Sequence, residues 1–432
     1  MNDSVKTHAD DTAQAPPGRT WFSSLDGRER RTFIGCFFGW ATDAFDVQVY
    51  SLAIPVLISI GFLSGTAEAG LIGTAALLSS AFGGWLAGIL SDKLGRVRTL
   101  QLTIAWFAFF TALSGLAMNA DQLLVARTLM GFGFGGEWAA GAVLMGETIR
   151  SRYRGRALGA VQSGWAIGWG AAVLASTVVA ILFRPELQWR VLFFLGLLPA
   201  LLVVFLRRSV PEPEVAVRAK AQLGTAAAVR RESFLAIFSA PLRKRTATCV
   251  LLCVGAQGGY YSLVTFLPQF LAAERGLKIL ALGGTLALVI VGAFTGYLFG
   301  AWLTDKIGRR PMLVSTALGA FVIVLPMTAF SLPTSVFTVL SFPLGFFASA
   351  YLSTMGSVLA EQFPTTVRGS GMGFSYNFGR GIGALFPFLV GSLADSLTLG
   401  VSIAVFAGLA YGAMIIAALL LPETRGIDLA KI

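Results

Sequence analysis

The chain is poor in the residues that soluble enzymes rely on. Its 432 residues include one histidine and three cysteines, and only 13% are charged. The histidine, His8, sits in the polar opening stretch MNDSVKTHADDTAQAPPGRT, so any proton carried through the protein must ride on a carboxylate. Cys36, Cys249 and Cys253 fall at or inside apolar runs and read as small packing residues, with no disulfide framework or metal spacing. No metal-ligand cluster, activated nucleophile or phosphate loop is visible, which argues against an enzyme. The opening stretch lacks the apolar core of a cleavable signal and reads as a tail. It leads into WFSSLDGRERRTF, a candidate interfacial helix. So little charge cannot clothe a water-soluble domain of this length. The solvent for most of the chain must be lipid.

What is abundant fits that solvent. Hydrophobic residues make up 55% of the chain, and mean hydropathy is +0.74. A bilayer core takes about 20 apolar residues per helix. Twelve such segments can be placed, at 32–60, 69–91, 97–117, 121–146, 156–182, 189–207, 245–272, 280–303, 311–331, 334–358, 369–394 and 399–421. The 50 glycines lie mostly within these runs, where they allow close helix packing. Net charge is +11, and its distribution explains it. Basic residues crowd alternate loops: Lys93, Arg96 and Arg98; Arg150 to Arg156; Arg207 to Arg245; Lys306, Arg309 and Arg310; and Arg368. The intervening loops carry only Arg184, Arg190, Arg275 and Lys278. The positive-inside rule then puts both termini in the cytoplasm. The excess charge reflects topology, and no nucleic-acid partner is expected.

The chain also repeats itself. GILSDKLGRVR (88–98) and AWLTDKIGRRP (301–311) share D-K-x-G-R, with Asp92 and Asp305 displaced by 213 positions. The same displacement relates Pro55 to Pro268. A displacement of 214 takes Glu147, Arg154 and Gly155 to Glu361, Arg368 and Gly369, and one of 211 takes Pro211-Glu212 to Pro422-Glu423. The expected architecture is all-α and membrane-embedded, with twelve transmembrane helices in two pseudo-symmetric six-helix bundles. A tail (1–30), a first bundle (31–207), a cytoplasmic linker (208–243), a second bundle (244–421) and a short tail (422–432) complete the expected organisation. Internal repeats around a central site are characteristic of secondary transporters.

These motifs resemble those of the major facilitator superfamily. The two D-K-x-G-R loops are similar to its signature loops, RTLMGFGFGGEW (127–138) to its fourth-helix stretch, and VPEPE (210–214) and LPETRG (421–426) to the motifs closing each half. One departure is Ala301, where the resemblance calls for glycine.

Charge inside the spans points to function. Asp43 and Asp46, three apart in GWATDAFDVQVYSLAIP, share a helix face. An Asp at a helix centre costs about 2.5–3.5 kcal/mol on insertion scales. Either the two carboxylates exchange a proton or they form a structural ion pair between helices. Glu137 lies ten residues beyond Arg127, about 15 Å deeper. It is a second proton site or a hydrogen-bonding residue between helices. Arg380, in SYNFGRGIGALFPF, is the basic residue near the middle of a second-half span. Its planar fork suits a carboxylate, and its candidate partners are Asp43 or Asp46 at rest and an anionic substrate in turn. The repeat mates of Arg380, Asp43 and Asp46 are Ala166, Ala256 and Gly259, so acid and base have diverged onto separate halves.

Gln162, Gln257, Tyr260, Tyr261, Tyr376 and Asn377 offer hydrogen bonds around the expected cavity, with Trp165 and Trp169 as flat walls. Asp92, Arg96, Asp305 and Arg309 in the repeated loops are read as gating residues, with Arg127. So are the expected pairs Glu147 with Arg154 and Glu361 with Arg368.

D-A-F-D in the first helix, GGEW in the fourth and G-R-G in the eleventh resemble the organic-acid and proton symporters of the superfamily. The sialate and monocarboxylate group comes first. The aromatic-acid group, with D-G-F-D where Ala44 stands here, comes next. That resemblance implies proton-coupled uptake of a small organic anion by a monomer in the plasma (bacterial inner) membrane. It implies no cofactor beyond the coupling proton. The alternative is a sugar or polyol carrier, which Arg380 disfavours because a neutral substrate needs no buried cation. A glycine-proline efflux signature is missing from 155–182. A transporter-like receptor is expected to carry a longer cytoplasmic extension than 422–432.

Overall fold

The computed structural model describes residues 21–94, 96–197, 234–364 and 367–425. Within these, the side chains of 88, 89, 91–93, 96, 137–140, 142, 143, 146, 147, 151, 152, 154 and 155 lie outside the description. Most of the linker and the end of the sixth expected span (198–233) are likewise outside it.

The first half contains α1 (Gly27–Ser59), α2 (Thr66–Leu94), α3 (Arg96–Ser114), α4 (Ala120–Thr148), α5 (Ser151–Gln162), α6 (Gly164–Leu182) and α7 (Pro185–Leu195). The second contains α8 (Arg243–Val264), α9 (Leu267–Ala273), α10 (Ile279–Ile307), α11 (Arg309–Ala329), α12 (Thr334–Ala350), α13 (Met355–Glu361), α14 (Arg368–Gly383), α15 (Phe386–Ala394) and α16 (Leu399–Leu420). No strand occurs among the described residues. Nine of the described helical rods are long and apolar enough to cross a membrane.

The ends are set locally. Asp26 caps α1 in a reciprocal box with Glu29, Asn119 caps α4, and Thr398 caps α16, each satisfying amides that a helix start leaves free. Gly308, at φ 100°, makes the tight corner between α10 and α11 that other residues resist.

Four expected spans are not continuous. The fifth breaks at Ser163 between α5 and α6. The seventh breaks between α8 and α9, with Pro268 in the first turn of α9. The tenth passes through a 3-10 turn, Tyr351–Thr354, and the eleventh breaks between α14 and α15 just before Pro387. Proline explains two of these, because it lacks the N–H that would continue the ladder.

Packing follows the repeat. In the first half α2 lies on α4 and α1 on α6; in the second, α10 lies on α12 and α8 on α14. Among the described residues the halves meet where α2 lies against α14 and α15, α5 and α6 against α10, and α1 against α9. Large apolar side chains such as Trp85, Phe109, Leu174 and Leu409 remain exposed on the outer surface, as a lipid-facing surface requires. One end of the bundle, the basic end, carries the basic loops; the far end lies opposite.

Candidate substrate and ion site

Asp43 and Asp46 lie midway along α1 and are 1% and 2% exposed. Their three-residue spacing does place them near one another, yet they serve different partners. Asp46 Oδ2 accepts a hydrogen bond from Arg127 Nη1 at 3.1 Å, and both side chains are buried. The Arg127 guanidinium also lies 5.1 Å from the Tyr50 ring centre and 5.5 Å from that of Phe193. This pair joins α1 to α4 inside the first half. Asp46 is therefore a partner of Arg127 in this structure, not of Arg380. The reason is position: α4 packs on the α1 face that carries Asp46.

Asp43 is felt by the other half. It stands within electrostatic reach of Arg380, as does the Tyr261 hydroxyl. Arg380, in the last turn of α14, is 1% exposed and lies 4.4 Å from the Phe134 ring centre on α4. Its Nε and Nη1 atoms are buried with no hydrogen-bond partner among the described residues. A buried charged donor left unmet is costly, so these atoms mark where an acceptor belongs.

Aromatic rings wall the surroundings. Trp40 and Trp165 lie 5.0 Å apart, and Trp165 Nε1 donates to the Tyr260 hydroxyl at 2.6 Å, a bond between halves. Tyr260 and Tyr261 stand 6.1 Å apart, and Tyr376 lies close to Gln257. Gln162 Nε2 donates to Leu352 O at 3.3 Å, again across halves. Trp169 is buried one turn from Trp165. Asn377 is set apart: its Nδ2 donates to Gly373 O of its own helix, and its Oδ1 faces Gly84 on α2. Trp40 and Phe134 join the site without having been singled out from sequence. Trp40 had a signal, being three residues before Asp43 on the same helix.

At the basic end, Arg309 organises the second half. Its Nη2 lies 2.8 Å from Glu361 Oε1 and its Nη1 3.3 Å from Asp305 Oδ1. The Thr424 hydroxyl donates to Glu361 as well. Glu361 was expected to pair with Arg368, and the structure corrects this. Arg368 Nε donates to the carbonyls of Ala360 and Phe363 at 3.1 and 3.3 Å, and the Glu361 carboxylate is already taken by Arg309 and Thr424. Glu423 accepts from the Arg309 and Arg310 amides at 2.9 and 3.0 Å, capping α11. Partial burial pushes the Glu423 carboxyl up, but backbone donors from Arg309, Arg310, Arg425 and Thr424 outweigh it and hold it below its ordinary value. All these described contacts lie within one half. The side chains of Asp92, Arg96, Glu147 and Arg154, and that of Glu137, lie outside the described residues. At the same end Arg150 binds Glu29 at 2.8 Å and ties the start of α1 to the start of α5.

Two six-helix halves meeting around a buried, charged and aromatic centre describe a membrane carrier. Two stretches, residues 36–338 and 286–429, match the Major Facilitator Superfamily profile. The chain belongs to that superfamily and is a multi-pass membrane protein. It is 40% identical to a "Probable 4-methylmuconolactone transporter" of Cupriavidus pinatubonensis, over 95% of each chain. It is 28% identical to a "Cis,cis-muconate transport protein" of Acinetobacter baylyi, over 91% of this chain and 94% of that one. Among solved structures it resembles the proton:xylose symporter XylE bound to 6-bromo-6-deoxy-D-glucose, with a TM-score of 0.74 at 18% identity over 95% and 98% of the chains. That likeness concerns the fold alone. The chain is a transporter and not an enzyme.

Proposed function

We propose that this protein takes up a small organic anion together with a proton, by rocking its two halves around the central site. The observation carrying this reading is Arg380, buried between the halves with Nε and Nη1 unmet and Asp43 within electrostatic reach. A substrate carboxylate satisfies those donors and claims the positive charge. Asp43 would then be an uncompensated charge in a dry site, which is expensive, and a proton neutralises it. Asp43, Asp46, Arg127 and Arg380 together sum to zero, so one proton must join the carboxylates for each anion held. The loaded and empty sites are then equally neutral, and either can reorient without dragging charge through the bilayer.

The rings around Arg380 supply flat walls for an unsaturated or cyclic acid, with Gln257, Tyr260, Tyr261, Gln162 and Trp165 at its edges. The relatives named for a muconolactone and a muconate fit a substrate of that chemistry. The basic end faces the cytoplasm under the positive-inside rule, in the bacterial inner membrane, and the carrier works as a monomer with the proton as its coupling ion. Arg309 with Glu361 and Asp305, and their first-half repeat mates Arg96, Glu147 and Asp92, brace the cytoplasmic helix ends in the closed state.

The test is uptake of labelled cis,cis-muconate, benzoate, lactate, sialate and glucose into vesicles, with and without an inward proton gradient. An acid accumulating only with the gradient is expected. Glucose accumulating alone, whatever the pH, overturns the reading.

A further inference from the structure

Pro387 has no N–H, so the carbonyl of Gly383 loses its helical partner and the eleventh span breaks. A second rung is missing beside it. In an unbroken helix Phe388 N–H would donate to Ala384 O. Here Phe388 N–H donates to the Thr74 hydroxyl at 3.1 Å, and that hydroxyl donates to Ala384 O at 2.6 Å. Thr74 belongs to α2, in the other half, and is buried. A side chain of one half thus occupies a rung in the backbone ladder of its neighbour. A hydroxyl suits the place, having one donor and two acceptor positions, and such insertion is a recognised cause of helix kinks.

The contact is continuous toward the far end. Gly70, one turn from Thr74, lies so close that an added Cβ would stand 2.5 Å from Pro387 O. Another turn on, Thr66 Oγ1 donates to Gly391 O at 3.3 Å. Toward the site, Ala384 N donates to Arg380 O at 2.8 Å. The wedged rung is therefore the next rung after the one that begins at Arg380.

We infer that Thr74 is a positioning residue for Arg380 and reports far-end closure to it. With the far ends together, the hydroxyl holds the break open and fixes the last turn of α14. When they part, Thr74 withdraws, and Ala384 O and Phe388 N–H pair with each other. The segment beyond Arg380 straightens. Both arrangements leave these two backbone groups satisfied, which makes the element two-state and cheap to switch. This inference rests on the alternating-access reading above.

The test follows the far-end seam with a thiol reporter and needs neither substrate nor proton gradient. Cys36, Cys249 and Cys253 are buried at 4%, 0% and 0% exposure. Thr265, 8% exposed and just past the end of α8, lies beside this seam against α2, its methyl 3.8 Å from where a Cβ on Gly73 would be. A Thr265→Cys protein is labelled with a membrane-impermeant maleimide in cells and in inverted vesicles, covering either orientation. Thr74→Val in that background keeps the shape and removes both hydrogen bonds. Its labelling is expected to rise roughly tenfold, the scale of two modest net hydrogen bonds. Thr74→Ser is expected to label as the parent does, and Pro387→Ala, which restores an N–H, to move in the same direction as valine. Parent-like labelling of Thr74→Val, including none in either, overturns the inference, as does a serine variant behaving like valine. Should the valine variant not reach the membrane, an unchanged rate in Pro387→Ala overturns it and a raised rate supports it. Failure of every uptake assay would strike the proposed cargo and leave the labelling result standing.

Discussion

The two lateral seams between the halves are repeat mates, and they are built differently. Gly70 in α2 corresponds to Gly283 in α10, and Pro387 in α15 to Val173 in α6, at displacements of 213 and 214. At the first seam backbone meets backbone, with Gly70 against Pro387 O and Thr74 bonded into the opposing helix. At the second, a Cβ on Gly283 would meet Thr177 Oγ1 at 3.0 Å and Val173 Cγ1 at 4.0 Å, and the Thr177 hydroxyl donates to Val173 O of its own helix. Ala287 stands where Thr74 would be repeated, and Ala166 where Arg380 would be. The repeat built a symmetric frame. Both the fifth and the eleventh spans break, at different heights, but the threonine wedge and the buried cation stand on one side alone.

The same contrast separates the two acids of α1, and substitutions there should have the largest effect. Asp46→Asn strands Arg127 in a buried site and is expected to destabilise the protein by about 3 kcal/mol, as breaking a buried pair does. Thermal unfolding in detergent measures this, and the double variant Asp46→Asn with Arg127→Gln should recover much of the loss. Asp43→Asn should leave the fold nearly intact while abolishing gradient-driven accumulation. If the two single variants behave alike in both assays, the division between them is wrong.

Next in size is Arg380→Lys. It retains charge but loses the fork, and anion transport efficiency is expected to drop on the order of a hundredfold. Unchanged affinity would remove Arg380 from the substrate site. The seams themselves are compared by Gly70→Ala and Gly283→Ala. The former should cost about 1–3 kcal/mol of overpacking or force the far end apart. The latter needs only a small shift of the Thr177 side chain, so its melting temperature should stay near that of the parent. Equal shifts would show that the seams are mechanically equivalent.

The smallest effect belongs to Glu423. Its carboxyl is held below the ordinary value by backbone donors, so its contribution is present above the unfolded pKa and is lost as pH falls through the folded one. Glu423→Gln should flatten the acid limb of the stability profile below about pH 4.5, the ordinary value for this group. The limb is read from unfolding at several pH values, and an identical limb in the variant would dismiss the cap.

Much of this was legible beforehand. The membrane class, the tandem halves and a mid-membrane charge set follow from apolar run length, displacement of motifs and the cost of a carboxylate in lipid. The basic-end cluster was half legible: Asp305, Arg309 and Glu361 were singled out together, but the pairing of Glu361 with Arg368 was not what formed. Sequence distance says nothing of Arg309, brought in from another helix, which takes Glu361 instead. Trp40 and Phe134 escaped notice because an aromatic in a span looks the same whether it faces lipid, core or cavity. Thr74 had no signal at all, since its role depends on a break in a helix some 310 residues away.

By itself, then, the order of residues determined where the chain crosses lipid, that it does so in two related sets, and which charges it must bury. Those properties depend on solvation and local periodicity, which are written along the chain. Only the tertiary structure decided that Asp46 binds Arg127 while Asp43 lies within electrostatic reach of Arg380, and that a threonine of one half completes a helix of the other. Such choices are set by which surfaces meet, at distances of a few ångströms, between residues that no local pattern connects.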